Sequence, residues 1–156
     1  MHPHAQLLTR FYESFARKDA EGMAACYHPE AAFSDPAFGL LDRDHACSMW
    51  RMLLGRSRDL AVRFEVLGAD EGQGEARWEA DYTFTKTGRP VHNLIQARFA
   101  FRDGLIFAHR DGFDFHAWAA QALGWKGRLF GGMDWFQRAF QKEARRTLQR
   151  FMDANP

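Results

Sequence analysis

The sequence lacks the features that mark several large classes of protein. Its two cysteines, Cys26 and Cys47, are too few for a disulfide framework and do not have the spacing of a metal site. No apolar run approaches the roughly 20 residues that a membrane-spanning helix needs, and no basic segment followed by an apolar one opens the chain. These absences predict a cytoplasmic protein with reduced thiols, without a signal peptide and without a metal centre.

An excess of charge of either sign is also absent. The 156 residues include 21 Lys and Arg against 20 Asp and Glu, a net charge of +1. A protein that binds nucleic acid would show a basic excess, so no nucleic acid is expected as a partner. The balance is uneven along the chain, because residues 126–156 hold 7 basic and 3 acidic side chains while residues 1–125 hold 14 and 17.

Aromatic side chains, in contrast, are abundant at 15% of the residues, enough for a thick core or for the walls of a cavity. Helical spacing covers residues 5–17, 20–27 and 43–56, with a short strand candidate at 31–34. From residue 60 the pattern alternates, which predicts strands at 60–66, 78–84, 91–101 and 105–113, with Asp103-Gly104 as a hairpin turn. Helices followed by an antiparallel meander predict an α+β fold, in which a curved sheet packed on helices forms a cone with an interior pocket.

Several short segments resemble the nuclear-transport-factor-2-like superfamily, which includes ketosteroid isomerases and SnoaL-type polyketide cyclases. The resemblance covers about residues 5–115 and implies a cystatin-like cone, a hydrophobic small-molecule ligand, no cofactor, and a homodimer through the outer face of the sheet. The same fold hosts isomerases, cyclases, hydrolases and non-enzymes, so it does not specify an activity. The segments are Phe11-Tyr12-x-x-Phe15, Asp19, Cys26-Tyr27-His28-Pro29, Phe33–Gly39, Phe99–Ile106 and His109–Asp114.

Of the three catalytic groups of ketosteroid isomerases, this sequence has only one at the matching position. Their aspartate base lies in an Asp-Pro-x-x-Gly segment, which Asp35-Pro36-Ala37-Phe38-Gly39 matches. Counting back from this aspartate, the oxyanion tyrosine falls on Phe11, with Tyr12 one residue away. When the predicted strands are matched at their Phe-x-Phe segment, the protonated aspartic acid falls on Ala97. Steroid isomerisation by that mechanism is therefore disfavoured.

The last predicted strand carries the strongest candidate site. The aspartate base of SnoaL-type cyclases lies on this strand, and Asp111 matches it best. His109 and Asp111 are two residues apart, so they share a face with the apolar Phe107 and Phe113. A His and an Asp in such a stripe form either a buried pair that holds the sheet or an acid/base unit, with Asp111 as the base or His109 as the acid/base.

Asp35 also has two interpretations. An Asp before Pro starts turns well, because its side chain accepts hydrogen bonds from nearby backbone N–H groups. Alternatively, it is a base in the pocket, with its pKa raised by apolar neighbours such as Phe33 and Phe38. The catalytic candidates are thus Asp35, His109 and Asp111.

Ligand-binding candidates follow from the faces of the strands and from the resemblance, which places Ala97 on the pocket side. Tyr12 and Asn93 have simpler interpretations, as a packed helix tyrosine and a hydrogen-bonded core amide. We expect a cofactor-free isomerase, cyclase or hydrolase that acts on a hydrophobic, carbonyl-bearing ligand; the alternative is a non-catalytic binding or protein-interaction module. The candidates are Tyr12, Phe15, Phe33, Trp50, Trp78, Tyr82, Asn93, Ala97, Phe99 and Phe113.

The resemblance ends before the C-terminus, which divides the chain into a domain at 1–125 and an extension at 126–156. Glycines between residues 124 and 132 predict a linker, and apolar residues from Met133 to Phe151 at helical spacing predict an amphipathic helix with Asp134 as its cap. This helix either packs on the domain or on a dimer partner, or it makes a weak contact with an anionic membrane or protein surface.

Overall fold

The chain forms six helices and six strands, and the computed structural model describes all of residues 1–156. This confirms the predicted α+β class. The helices are α1 (Pro3–Ala16), α2 (Ala20–Ala24), α3 (Arg43–Arg56), α4 (Phe115–Leu123), α5 (Trp125–Phe130) and α6 (Asp134–Ala154). The strands are β1 (Tyr27–Asp35), β2 (Gly39–Asp42), β3 (Ala61–Ala69), β4 (Gln73–Phe84), β5 (Arg89–Arg102) and β6 (Leu105–Gly112).

All six strands belong to one sheet in the order β2-β1-β6-β5-β4-β3. The predicted meander from β3 to β6 is antiparallel throughout, with Ala97 opposite Asp111 on the neighbouring strand. β1 pairs parallel with β6, which places Phe33 beside His109 and Ser34 beside Arg110. The sequence pattern did not predict this pairing, because strands so far apart in the chain leave no local signal.

Helix caps and the hairpin turn follow the sequence closely. The side chains of Asp19, Asp42 and Asp114 accept hydrogen bonds from backbone N–H groups in the first turns of α2, α3 and α4. Asp103 and Gly104 both have positive φ, 54° and 75°, as the tight turn between β5 and β6 requires. At the start of α6 the prediction was wrong, because Met133 is the cap residue and no side chain caps the helix.

Three boundaries also differ from the predictions. The second helix ends at Ala24, and β1 runs through His28-Pro29; a register shift between Tyr27 and Ala32 removes the need for a backbone N–H from the proline. Residues 39–42 form the edge strand β2, which no pattern indicated. The predicted glycine linker contains the short helix α5.

A bulge in β6 corrects the predicted strand face. Ala108 pairs with Ala100 and Ile106 pairs with Phe101, so Phe107 is an extra residue between the two pairs. Ile106 is fully buried, whereas the ring of Phe107 lies 3.9 Å from the guanidinium of Arg102. Phe107 therefore does not flank His109 in an apolar stripe, as was predicted.

The C-terminal helix α6 packs on the rest of the fold. Leu148 is completely buried, and Phe140, Ala144 and Phe151 pack against the main core between the helices and the sheet. Most of the predicted apolar stripe therefore packs inside the molecule, whereas Met133 at its start is 46% exposed. No helix is long and apolar enough to cross a bilayer.

Candidate active site

A cavity of about 190 Å³ lies between the sheet and helices α3, α4 and α6. Since an apolar cavity of roughly 150 Å³ holds a benzene molecule, this one has room for a small ring compound. Of its 27 lining residues 17 are hydrophobic. The polar groups that the sheet contributes include Asp111, which is buried, and Asp35, Tyr82 and Asn93, which are half-buried, while the exposed Arg56, Lys86 and Glu143 also line the cavity. Such a space, with a few polar groups converging on it, is typical of a small-molecule site.

The predicted site residues divide into two groups. Those that line the cavity are Asp35, Asp111, Phe15, Trp50, Trp78, Tyr82, Asn93 and Phe113. Those that do not line it lie sealed in the core behind it, each at most 4% exposed, and are Tyr12, Phe33, Ala97, Phe99 and His109. These five residues are packed in the core and do not form part of the cavity wall.

A chain of hydrogen bonds links Asp111 to groups deep in the core. Trp50 Nε1 donates to Tyr27 Oη over 3.1 Å, and Tyr27 Oη lies 2.8 Å from His109 Nδ1. His109 Nε2 lies 2.8 Å from Asp111 Oδ1, which also receives a longer bond of 3.5 Å from Trp78 Nε1. The second oxygen of Asp111 has no donor within the protein, although the residue lines the cavity.

The directions of these bonds assign a role to His109. Trp50 donates to Tyr27 Oη, and His109 Nδ1 is the one acceptor that the buried hydroxyl contacts, so we assign the Tyr27 proton to this bond and Nδ1 as its acceptor. The imidazole is then neutral, and its Nε2–H donates to Asp111. Since the His109 side chain is 1% exposed, it cannot touch a ligand. Of the two predicted assignments, the geometry supports Asp111 as the reacting group, with His109 orienting it.

Tyr27 is a site residue without a predicted role. It is 3% exposed and holds the tautomer of His109 in place. The sequence pattern assigned it to the end of a helix, where no contact with the last strand was expected. The only signal was its place in a segment that carries the family resemblance.

Asp35 lies beside Asp111 at the end of β1. The parallel register pairs Ser34 with Arg110, so the next step places Asp35 opposite Asp111. Asp35 Oδ1 accepts hydrogen bonds from the N–H groups of Ala37 (2.9 Å) and Phe38 (2.7 Å), as predicted for a turn. Burial nevertheless raises the pKa of Asp35 to about 7, against the lowering effect of these bonds, and the charge of Asp111 raises it further.

A second, polar cavity reaches the same two carboxyl groups. It has a volume of about 510 Å³, and besides Asp35 and Asp111 it is lined by Ser34, Gln96, Arg98, Arg110 and residues of α6. The carboxyl pair thus separates an apolar space from a polar one that water can fill. No group of three or more His, Cys, Asp or Glu side chains is arranged to hold a metal ion.

Helix α6 holds the loop that contains the partners of Asp35. Gln137 Nε2 and Gln141 Nε2 each donate to the carbonyl of Pro36 over 3.0 Å, and Arg145 Nη1 donates to the carbonyl of Phe38 over 2.7 Å. Gly39 has φ +74°, and a Cβ there would lie 2.8 Å from Arg145 Nη1. The sequence pattern assigned no role to these polar side chains, so it did not reveal these hydrogen bonds to the loop.

Two tyrosines differ in their capacity to donate a proton. Tyr82 Oη accepts from Trp118 Nε1 over 2.8 Å and lines the cavity, so its own proton is available to a ligand. Tyr12 Oη is buried without a partner, and its ring stacks on Phe64 with centroids 5.4 Å apart. Burial raises the pKa of Tyr12 well above its usual value. The predicted ligand contact by Tyr12 is absent from this arrangement.

Comparisons with known proteins agree with this architecture. The family model for SnoaL-like domains matches residues 8–109. A proposed polyketide cyclase from Xanthomonas campestris pv. campestris is 22% identical, with a TM-score of 0.67 over 76% of this chain and 96% of that one. IdmH, a proposed polyketide cyclase from Streptomyces antibioticus, is 20% identical (TM-score 0.64; 77% and 98% covered). An LEH-like epoxide hydrolase from M. tuberculosis is 17% identical (TM-score 0.60; 83% and 91% covered). No curated protein matches the chain.

Proposed function

The chain belongs to the family of SnoaL-like domains, and from this membership we propose that it is a cofactor-free acid/base enzyme acting on a small hydrophobic compound that carries a carbonyl group. Isomerisation, cyclisation and hydrolysis all use this chemistry, and proteins described as cyclases and as an epoxide hydrolase share the fold. The cavity of about 190 Å³ suits a compound of one or two rings.

The observation that carries the proposal is the environment of Asp111. One oxygen is held by His109, and the other has no protein donor at the wall of a largely apolar cavity. A carboxylate oxygen without a protein donor can accept a proton from a ligand that is held against it. Asp111 would remove a proton from the carbon next to the ligand's carbonyl group, while His109 keeps the carboxylate in one orientation.

Asp35 supplies the complementary acid. With a pKa of about 7, about half of the Asp35 side chains carry a proton at neutral pH. A protonated Asp35 would donate to the carbonyl oxygen as negative charge develops there, and Tyr82 Oη, which also lines the cavity, offers a second donor. The two neighbouring carboxyl groups thus take different roles because burial, together with the charge of Asp111, opposes ionisation of Asp35.

A nitrobenzisoxazole tests the base without knowledge of the natural substrate. A carboxylate in an apolar pocket opens this compound by removing its ring proton, which releases a coloured phenolate. We expect the wild type to accelerate this reaction and Asp111→Asn to slow it by about 100-fold or more. The exposed Asp44→Asn variant is the control. Equal rates for the wild type and Asp111→Asn would refute the assignment of Asp111 as the base.

Native mass spectrometry of the purified chain distinguishes the alternative, a non-catalytic binding module. A ligand that is retained unchanged, together with no base activity towards the probe, would favour that function.

We also propose that the chain forms a homodimer through the outer face of the sheet, where Leu94 is 64% exposed. Light scattering measures the molecular mass of the particle in solution, and a monomer at high protein concentration would contradict the dimer.

A further inference from the structure

Large apolar side chains are concentrated on one part of the surface, at α5 and the start of α6. Trp125 is 68% exposed, Leu129 60%, Met133 46% and Trp135 53%. These four residues, here called the α5 patch, are half of the eight large hydrophobic residues that the chain exposes. An apolar cluster of this kind marks a site of contact with another surface.

The packing of α5 against α4 accounts for the exposure of Trp125 and Leu129. Its Gly127 faces α4 so closely that a Cβ there would overlap the carbonyl of Ala119, and a Cβ at Gly131 would overlap the carbonyl of Gly127. His116 Nε2 also lies 2.8 Å from the carbonyl oxygen of Arg128. The helix therefore turns its glycine inward and its tryptophan and leucine outward, the reverse of an ordinary amphipathic helix.

The charges around the α5 patch are mainly basic. Lys126 and Arg128 belong to α5 itself, and Lys126 Nζ lies 5.8 Å from the ring centroid of Trp125. The ion pairs of this part of the chain join Arg146 and Arg150 to Glu143, which leaves Lys126 and Arg128 without an acidic partner. A second copy related by a two-fold axis would bring like charges together, so the patch favours an anionic surface over a self-interface.

We propose that the α5 patch binds the surface of an anionic lipid bilayer. Tryptophan, leucine and methionine insert at the boundary between headgroups and acyl chains, and adjacent basic side chains pair with lipid phosphates. Neither of the two cavities at the candidate active site extends to the patch, so the patch is separate from that site. The proposal does not depend on the proposed function. Of the apolar stripe of α6 it uses only Met133, which is exposed at the start of the helix, while the later residues of the stripe pack against the fold.

Co-sedimentation of the full chain with vesicles tests this proposal. We expect binding to vesicles of phosphatidylglycerol and phosphatidylcholine and weaker binding to phosphatidylcholine alone. Trp125→Gln with Leu129→Gln should weaken binding to the mixed vesicles by about tenfold or more, because both side chains are exposed and their loss leaves the fold intact. Lys126→Gln with Arg128→Gln should remove most of the salt dependence. The matched control is Leu40→Gln with Leu67→Gln, two exposed leucines elsewhere.

Three results would overturn the proposal. The wild type could fail to bind the mixed vesicles, or the Trp125→Gln/Leu129→Gln variant could bind them as tightly as the control variant does. Light scattering could also show that this pair of substitutions converts a dimer into a monomer, which would make the α5 patch a self-interface.

Discussion

Replacement of Asp35 by Asn should stabilise the protein, and the gain should grow with pH. Burial raises the pKa of Asp35 from 3.8 to about 7 in the folded chain. Below about pH 4 the carboxyl is protonated in both the folded and the unfolded chain, so the pH-dependent loss of stability has not begun. As the pH rises towards 7 the unfolded chain releases this proton while the folded chain retains it. The free energy of unfolding therefore falls progressively as the pH rises from about 4 through the pKa of about 7 in the folded chain.

The size of the effect follows from the shift in pKa. Each unit corresponds to about 1.4 kcal/mol, so the total loss is about 4 kcal/mol at most. Some two units of the shift lie above pH 5, so the stability gap between Asp35→Asn and the wild type should widen by about 2 to 3 kcal/mol between pH 5 and pH 8. Asn keeps an oxygen that accepts from the N–H groups of Ala37 and Phe38, so the turn survives the substitution.

Urea unfolding at several pH values measures this gap directly. Asp44→Asn, on the exposed first turn of α3, controls for the removal of one negative charge. A gap that stays constant or shrinks as the pH rises would refute the assignment of a raised pKa to Asp35. It would also remove the basis for Asp35 as the acid. A residue that lowers stability at neutral pH is typical of a functional site.

Three further variants test the neighbouring groups. Tyr27→Phe should lower kcat for the nitrobenzisoxazole about tenfold with KM unchanged, because His109 loses the bond that fixes its tautomer; an unchanged kcat would contradict this. Gln137→Ala with Gln141→Ala should weaken the pH dependence of stability that Asp35 causes, because the loop opens to water; Arg138→Ala, also on α6, is the control. Tyr12→Phe should stabilise the fold by about 1 kcal/mol, since it removes a buried hydroxyl without a partner. A less stable variant in urea unfolding would show that the hydroxyl has a partner.

The fold was largely predictable because its elements leave local patterns. Alternation fixes the faces of β5, and short aspartate motifs cap α2, α3 and α4. Where prediction failed, a distant partner decided the structure. The strand β1 begins at Tyr27, before the predicted strand at 31–34, because Tyr27 pairs with Ile106 of β6, and the bulge at Phe107 depends on the register with β5. Neither feature can be derived from the residues of one segment.

The sequence predicts which face of the sheet the site residues share, but it does not predict which of them reaches the cavity. The spacing of His109 and Asp111 indicates that both point to the same side of the sheet, and both are buried there. Spacing does not tell which of them reaches the cavity. That depends on the rings of Phe33, Phe99 and Trp50 that pack around the imidazole of His109 and separate it from the ligand space.

The site also extends beyond the segment that carries the family likeness, which ends at residue 109. Phe140, Ala144 and Thr147 of α6 form part of the cavity wall, and Gln137 and Gln141 hold the loop beside Asp35. A boundary at residue 125 would therefore separate the carboxyl pair from one wall of its cavity. The α5 patch lies directly before and at the start of α6. The residues that form the cavity wall and the residues proposed to contact a bilayer are therefore adjacent in the chain. Their consequences for activity and for binding must accordingly be measured on point variants of the full chain, in which each can change without the other.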